Sequence, residues 1–102
     1  MINCCSQETE YYKNIDTSIS ILKAVSEPNR LRVLCILSKN KICVCDLANK
    51  LDLAFNLISF HLKTLKTVGI LDKKREGNQI FYFIKPEWKS RVEHFFNFIG
   101  IK

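Results

Sequence analysis

Glycine and proline are scarce in this chain of 102 residues, which contains three glycines and two prolines. So few helix- and strand-breaking residues leave no room for a flexible linker, and the length suits one domain with a modest core. No apolar run reaches the roughly 18 residues of a membrane-spanning helix. The first residues also lack the basic and apolar segments of a secretory signal. We therefore expect a cytoplasmic protein with no membrane partner.

Residue groupings that support catalysis are also missing. The sequence shows no nucleophile–base pairing, no histidine–carboxylate set for a catalytic metal and no phosphate-binding loop. We therefore expect neither an enzyme nor a protein with an organic cofactor. A hydrophobic content of 47% nevertheless predicts a globular fold.

Positive charge is abundant and unevenly distributed. The net charge is +6, and residues 50–91 contain nine basic but only four acidic residues. This excess favours a polyanionic partner, with double-stranded DNA as the candidate.

The spacing of apolar residues predicts a mainly α-helical fold with one small β-hairpin. We expect a flexible tail over 1–7 and a single domain over 8–102. The predicted helices are 8–25, 28–38, 44–51, 55–68 and 87–99, and the predicted strands are 70–74 and 79–84. A helix-turn-helix over 44–68 followed by a hairpin over 70–84 is typical of a winged helix-turn-helix.

The fourth helix has two contrasting faces. Its predicted core face contains Leu57, Ile58, His61, Leu62, Leu65 and Val68. Its predicted outer face has no carboxylate, which suits a phosphate-lined groove. That face contains Asn56, Ser59, Phe60, Lys63, Lys66 and Thr67. The hairpin adds basic and amide groups suited to phosphate or minor-groove contact, namely Lys73, Lys74, Arg75, Asn78 and Gln79.

The last predicted helix is unusually apolar for so small a domain. Its large side chains at helical spacing are Trp88, Val92, Phe95, Phe96 and Ile99. One subunit can hardly bury all of them. We therefore predict a homodimer formed through the first and last helices, which would also suit a two-fold operator.

Four segments together resemble the ArsR/SmtB family of metal-sensing repressors, and the resemblance extends over about residues 17–84. They are 22–34 (LKAVSEPNRLRVL), 42–48 (ICVCDLA), 58–71 (ISFHLKTLKTVGIL) and 75–82 (REGNQIFY). The resemblance implies a dimeric winged helix-turn-helix repressor that leaves DNA when its inducer binds. It also implies groove-facing roles for Ser59 and Lys63. His61 stands where the family usually has histidine, and its place on the apolar face indicates a structural role.

Two aromatic residues depart from the family pattern. Phe55 and Phe60 stand where relatives usually carry polar or charged groups. Either these rings contact thymine methyl groups, or the operator differs from those of the relatives. The sequence leaves both interpretations open.

Five cysteines in a cytoplasmic protein predict reduced thiols that serve metal or redox chemistry. Cys43 and Cys45 lie where extended chain leads into the third helix, so we expect their side chains to point the same way. The helix amino terminus favours the metal-binding thiolate. Two sulfurs are too few for a stable soft-metal site, so we expect Cys4 and Cys5, from the same or the partner subunit, to complete it. The predicted inducer is As(III), Cd(II), Pb(II) or Zn(II).

The Cys-Val-Cys-Asp-Leu segment resembles the arsenic and cadmium/lead sensors of the family. Ala48 stands where some arsenic sensors have a third cysteine, which makes Cys4 and Cys5 more important. The family's other metal site, on the last helix, is not expected because His94 stands alone and Asn97 replaces a glutamate. We interpret Cys35, within an apolar run, as a core residue.

Two other functions remain open at this point. One is a redox- or persulfide-sensing repressor of the same fold, whose disulfide would need a tail cysteine. The other is a metal-sequestering thiol protein that has no preference for an operator.

Overall fold

A computed structural model of the chain describes the main chain of residues 5–101 and the side chains of residues 14–101. The described part contains five helices and three strands. They are α1 (Cys5–Val25), α2 (Pro28–Leu37), β1 (Ile42–Cys43), α3 (Val44–Leu51), α4 (Phe55–Thr67), β2 (Leu71–Glu76), β3 (Gln79–Ile84) and α5 (Pro86–Ile99). Of the helices described, none combines the length and the apolar character needed to cross a membrane.

The three strands form one antiparallel sheet in the order β1-β3-β2. β2 and β3 make a hairpin whose two-residue turn is Gly77-Asn78. Gly77 has a φ of 64°, and a left-handed glycine suits so tight a turn. On the other side of β3, Cys43 in β1 pairs with Phe81. The middle strand of the sheet is thus shared between the hairpin and the segment that leads into α3.

The structure confirms the predicted architecture and shifts several boundaries. α1 begins at Cys5, so the predicted tail over 1–7 loses its last three residues to the helix. β2 extends to Glu76 instead of ending at residue 74, because the turn needs only two residues and Glu76 pairs with Gln79. α5 begins one residue earlier than predicted, with Pro86 in its first turn. The strand β1 was not predicted.

Local signals define where the helices start and stop. Glu27 caps α2 by accepting a hydrogen bond from the backbone N–H of Arg30, and Pro28 occupies the first turn. α4 ends before Gly69, which has a φ of 96° and donates its N–H to the carbonyl of Lys66.

One hydrophobic core joins the helices to the sheet. Its fully buried side chains come from α2, α3, α4 and the strand region, and they are Val33, Leu34, Leu47, Ile58, Leu62, Leu65, Ile70, Leu71 and Ile84. α4 contributes three of these side chains, so its position relative to the rest of the domain is strongly determined.

Candidate DNA-binding surface and cysteine site

α3 and α4 form the predicted helix-turn-helix, with residues 52–54 between them. Asp52 ends α3 in the left-handed conformation, at φ 54° and ψ 49°. The backbone N–H of Leu53 then donates to the carbonyl of Ala48 at 3.0 Å. An aspartate tolerates this geometry better than most residues do, so the turn closes without a glycine.

The inner face of α4 packs into the core largely as predicted. Ile58, Leu62 and Leu65 are completely buried, and His61 is 4% exposed. Leu57 was wrongly predicted to belong to this face, since it is 40% exposed. It lies about 100° around the helix from Ile58, at the margin of the apolar face.

His61 is held by a polar contact that the sequence did not predict. Arg30 Nη1 donates a hydrogen bond to His61 Nδ1 at 3.1 Å. Because a guanidinium can only donate, Nδ1 must be an acceptor and the ring proton must lie on Nε2. Nε2 lies 3.9 Å from a carboxylate oxygen of Glu27. This arrangement confirms the structural interpretation of His61.

Arg30 and Glu27 extend this contact to the junction of α1 and α2. Arg30 Nε donates to the carbonyl of Ala24 at 2.6 Å, and Glu27 accepts from the backbone N–H of Arg30 at 2.9 Å. Burial raises the pKa of Glu27, but this hydrogen bond and the positive charge of the Arg30 side chain act against burial, and the pKa lies below its ordinary value. α4 is therefore bonded to the end of α1 through one arginine.

The outer face of α4 carries the side chains that the sequence predicted for DNA. Ser59 is half-buried, and the others are exposed, namely Asn56, Phe60, Lys63, Lys66 and Thr67. Phe60 is 58% exposed and Phe55, at the start of the helix, is 52% exposed. The described face thus combines two lysines and hydrogen-bonding groups with uncovered aromatic rings.

The hairpin presents the second predicted group of residues. Its exposed side chains are Lys73, Lys74, Arg75, Asn78 and Gln79. Arg75 Nε donates to the carbonyl of Gly77 at 3.2 Å, across the turn. Basic groups therefore surround the hairpin tip and leave it available to a phosphate backbone.

One carboxylate ties the hairpin to the loop before β1. Glu76 Oε2 accepts from Lys41 Nζ and lies 3.3 Å from Lys74 Nζ. The hydrogen bonds from these two lysines lower the pKa of Glu76, with Lys41 contributing most. Lys41 also lies over the ring of Phe81, 5.1 Å from its centroid. All these contacts are at the surface.

The cysteines at the start of α3 differ in exposure. Cys43 is 4% exposed and occupies the N-cap position, while Cys45 is exposed in the first turn of the helix. We expected both side chains to point the same way because we assumed extended chain up to Cys45. That assumption was wrong, since the helix already begins at Val44. Cys43 makes no side-chain capping hydrogen bond, so helix capping does not occupy its sulfur.

Of the other three cysteines, the structure describes only the side chain of Cys35. Cys4 lies outside the described residues, and the side chain of Cys5 lies outside the described side chains. Cys35 is half-buried against the core, and burial raises the pKa of its thiol although Lys39 opposes the effect. Among side chains 14–101, no three His, Cys, Asp or Glu residues are grouped so that they could hold a metal ion together.

The expectation that one subunit can hardly bury the five large side chains of the last helix was largely wrong. Val92 and Phe96 are buried, Trp88 and Phe95 are half-buried against the core, and of the five only Ile99 is exposed.

α1 and α5 nevertheless leave some apolar side chains on the surface, which suits helices that pair with a second subunit. Ile19 is 42%, Leu22 54%, Ile99 42% and Phe98 86% exposed. The first three line an open groove of about 390 Å³ between α1 and α5.

The helix-turn-helix and the hairpin that follows it define a winged helix-turn-helix protein. The sequence pattern of the family "Bacterial regulatory protein, arsR family" matches residues 27–73. These residues span α2, the helix-turn-helix and the start of the wing. The chain belongs to this family of DNA-binding transcriptional regulators.

Similar proteins include regulators of known name and solved structure. The chain is 39% identical over 75 residues to the cadmium resistance transcriptional regulatory protein CadC from Listeria innocua. That match covers 71% of this chain but only 63% of the relative. HlyU from Vibrio cholerae, a solved structure, has 30% identity and a TM-score of 0.75 over 84% of this chain and 95% of HlyU.

A second similar structure shows the fold in a dimer. It is the homodimeric winged helix-turn-helix DNA-binding domain of a possible ArsR-family regulator from Mycobacterium bovis. Its TM-score is 0.79 at 22% identity, over 98% of this chain and 90% of that domain. At this identity the likeness concerns the fold alone.

Proposed function

We propose that this regulator is a homodimeric repressor that binds operator DNA and is released when a thiophilic ion binds its cysteines. The observation that carries the proposal is the position of Cys43 and Cys45 at the first turn of α3, the leading helix of the helix-turn-helix. Thiolates select soft ions such as Cd(II), As(III) and Pb(II). The similarity to a cadmium resistance regulator favours the same class of inducer.

DNA would be bound by the outer face of α4 and by the wing. Lys63 and Lys66 on α4 and the basic tip of the hairpin would contact phosphates, and the polar groups of α4 would face base edges. Two subunits paired through α1 and α5 would place two recognition helices about 34 Å apart, on successive turns of one DNA face. The exposed apolar surface of both helices supports this pairing.

Ion binding would act directly on the helix-turn-helix. An ion that bonds both sulfurs requires Cys43 to leave its buried position, and the peptide of Cys43 caps α3. Cys4 and Cys5, from the same or the partner subunit, would complete a site of three or four sulfurs. The ion then favours a position of α3 that differs from the DNA-bound one. A coupling free energy of about 1–3 kcal/mol per ion is enough to lower operator occupancy several-fold.

The experiment combines operator binding with ion titration on the full chain. Cys45→Ser changes an exposed thiol, so the variant should fold, bind the protein's own promoter duplex as a dimer and resist release by Cd(II), As(III) and Pb(II). Fluorescence anisotropy of the labelled duplex measures binding and release, and sedimentation gives the number of subunits.

Cys35→Ser is the matched control, because the raised pKa of this half-buried thiol keeps it protonated and makes it a poor ligand. It should release DNA like the wild type. Ion-induced release of Cys45→Ser at wild-type concentrations would refute the cysteine site. A wild-type protein that prefers its promoter no more than random DNA would refute the repressor itself.

A further inference from the structure

Phe60 occupies an unusual environment for a phenylalanine. Its side chain is 58% exposed and is not among those that pack against the hydrophobic core. The ring centroid lies 5.6 Å from that of His61, with the two planes tilted by 57°. His61 is itself buried and bonded to Arg30, so Phe60 has a fixed neighbour on one side and an open surface on the other.

The surroundings of Phe60 indicate what approaches this open surface. Asn56 and Lys63 lie one helical turn before and after it, and both are exposed. No carboxylate lies anywhere on α4. A basic helix face of this kind attracts a polyanion, and a protein partner with an apolar surface would gain nothing from the lysines. The ring is therefore presented to the same DNA groove as the polar groups around it.

The major groove offers only one apolar group to such a ring. The base edges there consist of hydrogen-bond donors and acceptors, except for the C5-methyl group of thymine. A phenyl ring cannot form a hydrogen bond with a donor or an acceptor. Where the ring covers such a group and displaces the water bound to it, binding loses free energy. It gains free energy where it buries a methyl group.

We infer that Phe60 is a specificity determinant that selects thymine, through its C5-methyl group, in the half-site read by α4. This inference rests on the proposed DNA-binding function and adds which base the aromatic residue reads. The two interpretations of this ring, a thymine contact and an altered operator, then become one. A phenylalanine that contacts thymine would itself make the operator differ from sites read by polar side chains.

Deoxyuridine tests the inference because it lacks only the methyl group of thymine. A preferred duplex is first selected from random DNA by the wild-type protein, and each thymine is then replaced singly by deoxyuridine. Competition binding at constant salt should show one position per half-site at which the wild type loses about fourfold in affinity, the value of one buried methyl group. A 5-bromodeoxyuridine at that position, which restores an apolar substituent, should recover the affinity.

Phe60→Ala should fold, since the side chain is exposed, and should bind thymine and deoxyuridine duplexes equally. Lys66→Ala is the control: loss of a phosphate contact lowers affinity for all duplexes by the same factor and retains the deoxyuridine effect. A wild-type protein indifferent to deoxyuridine at every thymine, or a Phe60→Ala variant with the wild-type profile, would overturn the inference. Failure to select any preferred duplex would instead refute the proposed function.

Discussion

The recognition helix and the wing present similar basic groups but are anchored very differently. α4 is held by fully buried leucine and isoleucine side chains and by the bond between Arg30 and His61. The base of the wing is also buried in the core, through Leu71 and Ile84, but its outer part is held by its own backbone ladder, by the two-residue strand β1 and by surface contacts of Glu76. The difference indicates that the position of α4 is more strongly determined than that of the outer part of the wing, which would suit the roles in DNA binding proposed for them.

The largest expected effect comes from removing the buried anchor of α4. Leu62→Ala should lower the free energy of unfolding by about 2–5 kcal/mol, because it leaves a cavity beneath the helix. On the wing, Ile80→Ala removes a side chain that is 36% exposed and should cost about 1 kcal/mol or less. Urea unfolding followed by circular dichroism measures both, and equal losses would show that the wing is anchored as firmly as α4.

An intermediate effect is expected from the polar anchor. Arg30→Ala leaves the Nδ1 of His61 and the carbonyl of Ala24 without their donor, which should cost about 1–3 kcal/mol. Arg32→Ala is the matched control, since among the described side chains this exposed arginine bonds to that of Asn29 alone, and it should stay within about 0.5 kcal/mol of the wild type. Equal stability of the two variants would mean that Arg30 does not anchor the helix.

The smallest effect concerns the surface anchor of the wing, and it should depend on pH. Because the folded-state pKa of Glu76 lies below its ordinary value of 4.5, the charged carboxylate stabilises the native wing above that value. This contribution is lost as the pH falls through the lowered pKa. Glu76→Gln should therefore be slightly less stable than the wild type near neutral pH, and the difference should shrink in acid. Thermal unfolding over a pH series measures the difference, and a constant gap would exclude this role for Glu76.

The sequence was sufficient for features that depend on local signals. Pro28, Gly69 and Pro86 mark helix boundaries through their own backbone preferences, and the structure places α2, α4 and α5 within one or two residues of the predicted bounds. Apart from Leu57, the polar and apolar faces of α4 likewise follow from helical spacing.

The features that were missed depend on residues far apart in the chain. β1 has only two residues, too few for an alternating pattern, and it is a strand because β3 lies beside it. Cys43 lies in that pairing and is buried, which the spacing of the two cysteines could not reveal. Arg30 and His61 are separated by 31 positions, and nothing in either local sequence indicates their contact.

Cys43 has two roles in the fold that belong to different parts of the molecule. Its thiol is a proposed ligand, while its main chain is a rung of the ladder with Phe81 in the middle strand of the wing. A displacement of Cys43 by ion binding would therefore be transmitted through peptide hydrogen bonds to the hairpin as well as to α3. If the proposed function holds, a single captured ion would thus disturb the helix-turn-helix and the wing of a subunit at once, without any relay between them.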